Sequence, residues 1–118
     1  MAKPIILCDC AGMANDRWLE CRAHGPKGDI PYTVGGSDVA AIFGLSPWTT
    51  PLELWLIKKG RMKAPVKSNE DQLEMGHLLE PIAAHWFEKK TGNLVTDDTN
   101  LYQHPDHPYA LANTDRRY

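Results

Sequence analysis

Between residues 69 and 91, Met75, Leu79, Ile82, Ala83 and Trp86 recur at three- and four-residue spacing, the period that returns side chains to one face of an α-helix. The spacing predicts a helix over 69–91 with a single apolar stripe, stopped by Gly92. Pro81 lies inside it. Proline removes a backbone donor and crowds the preceding turn, so a kink is expected there, directly after Glu80.

Shorter signals surround this helix. Asn15 and Asp16 read as the cap of a helix over 15–23 that carries Trp18, Leu19 and Arg22 and runs out by Gly25. The next stretch, 24–32, is dense in glycine and proline and reads as a surface loop. Gly35-Gly36-Ser37-Asp38 opens a helix over 37–43 closed by Gly44, with Ser37 as N-cap and Asp38 facing the positive end of the helix dipole. Thr50 precedes Pro51, and Glu53 follows three residues on. That is a capping box with proline at the first helical position, and it predicts a helix over 51–59 with Leu52, Trp55 and Leu56 on one face. A basic connector spans 61–68. Strand-like runs occupy 4–7, 93–97, 101–103 and 109–113, the last two joined by a turn at His104-Pro105-Asp106-His107-Pro108. Helices followed by a small antiparallel sheet make the expected class α+β, as a single domain over 1–118.

Composition sets the outer bounds. With 118 residues the chain suits one domain, and 42% hydrophobic with 24% charged residues excludes a disordered segment. No apolar run reaches the roughly 18–20 residues that span a bilayer. The opening apolar stretch is broken by Asp9 and does not read as a signal peptide. Three cysteines, an odd count without an export signal, point to free thiols in a reducing cytoplasm. A net charge of −2 excludes a histone-like binder, while leaving room for an enzyme that grips nucleic acid through a local cleft.

Three residues could carry chemistry. Glu80 falls at the margin of the apolar stripe, on the side of Gly76, Ala83 and Phe87. A half-buried carboxylate there is costly unless a cation or hydrogen bonds stabilise it, although a rim glutamate gives the same pattern. Asp115, near the end of the last strand, is a hard oxygen donor of the kind divalent cations take, and equally a turn aspartate. Ser37, after two glycines, could cradle a phosphate or act as a plain N-cap. Cys8-x-Cys10 with Cys21 and His24 only loosely imitates a zinc site, because a ten-residue gap and a helix intervene. His104, Asp106 and His107 fit a proline-bounded turn without any ion.

Taken together, these pieces resemble a known family. Asp9-Cys10, Trp18-Leu19-Glu20 with Arg22, and the block from Gly35-Gly36-Ser37-Asp38 through Leu45-Ser46-Pro47-Trp48 resemble the opening of the YqaJ-like viral recombinases, phage-type nucleases related to lambda exonuclease. Thr50-Pro51-Leu52-Glu53-Leu54-Trp55, Met75-Gly76-His77-Leu78-Leu79-Glu80-Pro81, His107-Pro108-Tyr109 and Leu111-Ala112-Asn113-Thr114-Asp115 continue the pattern in order over nearly the whole chain.

The resemblance implies the N-terminal part of a PD-(D/E)XK nuclease core that digests DNA with Mg²⁺ or Mn²⁺. It places Glu80 and Asp115 at the metal, as catalytic and metal-holding residues, and Arg22 and Ser37 at the phosphate of a DNA end. Double-stranded DNA ends are the implied partner, and a phage single-strand annealing protein and a homo-oligomer are compatible with it. This chain departs from the family pattern at Thr114, where proline is usual, and in a longer loop between Arg22 and Gly35. The family's Glu-x-Lys belongs on a strand after Asp115, where three residues follow. Glu88-Lys89-Lys90 matches the letters, but residues i and i+2 diverge on a helix and share a face only on a strand. The expectation is therefore a chain inactive by itself. Two other classes are a non-catalytic DNA-end-binding or interaction module from a decayed or split prophage gene, and a zinc-stabilised structural domain.

Overall fold

The computed structural model describes residues 2–65 and 70–118. Asn69, the expected start of the long helix, and the 66–68 part of the basic connector lie outside them. The chain divides into two compact units, Met1–Ala64 with Thr99–Thr114, and Pro65–Asp98 with Asp115–Tyr118.

The first unit is built on a three-stranded antiparallel sheet of β1 (Ile5–Asp9), β2 (Asn100–Gln103) and β3 (Leu111–Asn113), with β2 central. Ile5 pairs with Gln103 and Asp9 with Asn100, and the register shifts between Ile6 and Cys8. The earliest residues therefore belong to the sheet, which the order "helices, then sheet" does not anticipate. The Thr99 hydroxyl fastens the pairing by donating to the Asp9 carboxylate at 2.5 Å. The core is small: Leu101 and Leu111 from the sheet meet Cys21, with Leu7, Cys8, Cys10, Met13 and Ile30 packed around them. Cys8 and Cys10 are free thiols with sulfurs 3.9 Å apart.

Three helices complete this unit. α1 (Asn15–His24) starts at Asn15 as expected and runs one residue further, but its N-cap is Ala14, one residue before the expected cap, and no side chain caps it. α2 (Gly36–Ile42) begins and ends one residue early, because Gly35 rather than Ser37 is its N-cap and Phe43 lies beyond its end. The Asp38 carboxylate accepts from the Gly35 N–H at 2.9 Å, so the capping side chain is Asp38 reaching back. α3 (Pro51–Lys58) has the expected box: the Glu53 N–H donates to the Thr50 hydroxyl at 3.2 Å and the Thr50 N–H to the Glu53 carboxylate at 2.7 Å. Leu52 and Trp55 on α3 are exposed. In the 104–108 turn, His104 Nδ1 accepts from the backbone N–H groups of Asp106 and His107, which gives that nitrogen a structural task.

The second unit is α4 (Glu70–Thr91), one element through Pro81, and a two-stranded antiparallel ribbon of β4 (Thr96–Asp97) and β5 (Arg116–Arg117). Acidic residues in the first turn of α4 and Lys89 and Lys90 in the last match the helix dipole. The expected strand over 93–97 shrinks to its last two residues because the Val95 N–H is taken by the Glu88 carboxylate at 2.8 Å. The Phe87 and Tyr118 rings, centroids 5.4 Å apart, hold the ribbon to the helix. The apolar stripe is correct in period but exposed: Met75, Leu79, Ile82 and Trp86 all face solvent.

Candidate functional site

The four residues singled out from the sequence divide two and two between the units. Arg22 and Ser37 line one recess of about 560 Å³ in the first unit. Its geometry starts from Thr33, a buried residue whose hydroxyl donates to the Arg22 carbonyl and ties the end of α1 to the following segment. Val34 then donates to the Tyr109 carbonyl at 2.8 Å and accepts from the Leu111 N–H at 3.0 Å. These bonds make a parallel bridge to Ala110 that fixes the backbone beside Gly35.

Gly35 leaves the recess open. A β-carbon built on it would stand 3.6 Å from Arg22 Nη2 and 3.9 Å from both Asp38 Oδ2 and the Leu111 carbonyl. The Arg22 guanidinium rests over the Trp18 ring, 4.6 Å from its centroid, a cation–π contact that orients the cation. Ser37 is exposed on the first turn of α2. Lys58 also lines the recess, its ammonium 2.8 Å from Asp38 Oδ2. Sequence reasoning missed Lys58 as part of a site. It stands in Lys58-Lys59-Gly60 at a helix end, where a lysine is expected for dipole reasons alone, and its partner is 20 residues earlier in the sequence.

Glu80 and Asp115 both belong to the second unit. Glu80 sits on α4 with its side chain 42% exposed, and Oε1 lies 3.4 Å from His77 Nδ1, one turn earlier. Asp115 follows β3 and precedes β5. Its carboxylate is exposed and its backbone carbonyl accepts from the Asp98 N–H at 3.0 Å. Asp98 is a buried acid near Arg117, with Oδ2 3.9 Å from Nε. The Asp97-Asp98 doublet at a strand end carries the same signal that singled out Asp115 and was open to the same reading. Among the described residues, no three His, Cys, Asp or Glu side chains converge as a metal cage. Glu88 and Lys90 lie on α4, where Glu88 is engaged with Val95 and Lys90 lies over the Trp86 ring, which removes them as a strand-borne pair.

The chain also matches a family model, the YqaJ-like viral recombinase domain, over residues 17–118. The chain belongs to the YqaJ-like viral recombinase family. It is 38% identical over 112 residues to a Bacillus subtilis (strain 168) protein named "Uncharacterized protein YqaJ", an alignment covering 94% of this chain and 32% of that protein. The chain thus spans about a third of this YqaJ relative's length. No solved structure matches it. No helix among the described residues is long and apolar enough to cross a membrane.

Proposed function

We propose that this chain contributes to a phage-type, metal-dependent DNA nuclease of viral recombination, with a PD-(D/E)XK core, that hydrolyses phosphodiester bonds from DNA ends. Arg22 and Ser37 would contact the end phosphate, and Glu80 and Asp115 would supply two carboxylates to a divalent metal. The observation that carries the reading is the recess beside Gly35, where an oriented guanidinium, a serine and a lysine line one cavity in a chain of this family.

The donor chemistry of the second unit suits Mg²⁺ or Mn²⁺. Such ions take hard oxygen ligands and keep much of their water, so one or two carboxylates plus a substrate phosphate suffice. Bound there, the ion would neutralise charge on the scissile phosphate and lower the pKa of an attacking water. The reading is supported by Glu80 on α4 and Asp115 just before β5, both reachable from solvent. Among the described residues no strand carries Glu-x-Lys, so these 118 residues by themselves should bind DNA ends without cutting them.

Incubating the chain with linear duplex DNA and Mg²⁺, beside a fluorescence anisotropy titration of the same duplex, tests this. Binding that weakens in Arg22→Met, with no digestion, is the expected result. Robust metal-dependent digestion abolished by Glu80→Ala would overturn the incompleteness of the active site, and absence of end binding would overturn the nuclease reading.

A further inference from the structure

We propose that Cys8 and Cys10 form a dithiol site that a small-molecule disulfide oxidises reversibly, Cys10 capturing the oxidant and Cys8 closing the ring. The site is independent of the DNA-end reading of the recess.

The geometry comes from the end of β1. Residues two apart on a strand share a face, and Cys8 and Cys10 both pack against the small core around Cys21. The Asp9 carboxylate between them is tied to the Thr99 hydroxyl at 2.5 Å and the Ala11 N–H at 2.9 Å. A fully extended strand would hold two such Cα atoms about 6.5 Å apart, near the upper limit for a disulfide. Here β1 is irregular between Ile6 and Cys8 and stops at Asp9. The Cys10 N–H still donates to the Thr99 carbonyl at 2.8 Å, but its carbonyl accepts from the Met13 N–H at 3.1 Å as the chain turns. The two sulfurs come to 3.9 Å. A bond needs them about 2 Å closer, within reach of a change of thiol rotamer. The third thiol is excluded as an entry point: Cys21 is fully buried with Leu101 and Leu111, whereas Cys8 and Cys10 are partly exposed.

Burial, and then the Cys10 thiol, keep Cys8 protonated, raised from 9.0 to about 11, which leaves the first step to Cys10. The Cys10 thiolate attacks one sulfur of the disulfide R–S–S–R. That S–S bond breaks, and one R–S⁻ leaves and takes up the proton Cys10 gave up. With Cys10 in the mixed disulfide, its share of what kept Cys8 protonated is gone. The Cys8 thiolate then attacks Cys10 Sγ and expels the second R–S⁻, which takes the proton from Cys8. Two cysteine thiols have become one disulfide, and R–S–S–R has become two R–SH. A ring closed by residues two apart is small and strained, so excess R–SH runs the same steps backwards.

Asn113 carries the change onward. Its Nδ2 donates to Cys10 Sγ at 3.7 Å and to the Asn100 carbonyl at 3.2 Å, and the residue both ends β3 and lines the recess. Drawing the Cys10 sulfur toward Cys8 alters that contact.

The test incubates the folded chain with oxidised glutathione, caps the remaining thiols with iodoacetamide and weighs the tryptic peptides. Cleavage after Arg17 and Arg22 leaves Cys8 and Cys10 in one peptide and Cys21 in the next, 18–22. The first peptide should be uncapped and two hydrogens lighter, beside a capped 18–22, and excess reduced glutathione should restore both thiols. A first peptide that is joined to 18–22, retains glutathione or is capped at both thiols overturns the inference. Cys8→Ser should stop at the mixed disulfide on Cys10. Cys10→Ser should react about tenfold slower than the starting chain, the net of fewer thiolates and a more nucleophilic one. Equal speed would overturn Cys10 as the capturing thiol. Circular dichroism melts establish that both variants fold, and the peptide map of the unsubstituted chain decides the matter without them. In NMR spectra the Asn113 side-chain amide should shift on oxidation, and no shift would overturn the link to β3.

Discussion

Gly25 and Ile30 approach so closely that a β-carbon on Gly25 would stand 2.9 Å from Ile30 Cδ1. Gly25 also ends α1 at φ +74° and ψ 167°, a backbone region that only glycine occupies without strain. Gly25→Ala should therefore cost about 1–3 kcal/mol of stability. Gly12→Ala provides the comparison, since Gly12 has φ +67° but nothing within 4 Å of its would-be β-carbon. Denaturant midpoints should fall further for Gly25→Ala, and equal losses would show that the Ile30 contact is irrelevant.

Leu101, 1% exposed, is the largest fully buried side chain among the described residues. In a core of a few residues it has no replacement, so Leu101→Ala should lose about 2–5 kcal/mol. Guanidinium unfolding monitored by circular dichroism measures it. A loss under 1 kcal/mol would mean that the sheet is held by something other than its apolar face.

The capping box of α3 gives a prediction with a pH signature. The backbone N–H and the hydroxyl of Thr50 both hold the Glu53 carboxyl below its ordinary value of 4.5. A depressed carboxyl stabilises the fold above its unfolded pKa, and that help is lost as pH falls through the folded one. Thr50→Ala should lower stability by about 1 kcal/mol at pH 7. Thermal melts should also show the deficit of Glu53→Gln shrinking as pH drops below 4.5. A deficit constant with pH would exclude the charged form as the capping group.

Burial, and then the neighbouring Cys10 thiol, push the Cys8 thiol from 9.0 up to about 11. A raised thiol contributes stability that is complete below pH 9.0 and lost as pH rises through about 11. At pH 9 its thiolate fraction should be roughly fiftyfold below that of the unfolded chain, and alkylation should slow accordingly. Mass spectrometry after iodoacetamide treatment, with and without denaturant, reads this directly. Equal rates in the two conditions would reject a shielded thiol.

What the sequence revealed divides along the reach of the interaction. The Thr50–Glu53 box and the glycine after α4 depend on residues a few positions apart, and both are where local chemistry puts them. The period of α4 is equally local, but period says which residues share a face and nothing about what covers it, so the exposure of Ile82 and Trp86 was not legible. The shift of the α2 cap from Ser37 to Gly35 has a similar origin. Ser37 is the better capping residue by type, yet Asp38 reaching back to the Gly35 N–H supplies the bond first. The candidate site was half readable: Arg22 and Ser37 line one recess, but its lysine comes from α3 through a pairing that no short window of sequence contains.

The pairing of β1 with β2 also bears on how the chain is made. Asp9 is synthesised 90 residues ahead of Thr99, which fastens it. α1, α2, α3 and α4 are all synthesised while β1 still lacks its partner and Cys21 still lacks Leu101 to pack against. The first unit must therefore close late, around a loop that already contains α4, and Ile5 and Ile6 stay unpaired until then. Its vulnerability to misassembly is greatest before Leu101 and Leu111 emerge.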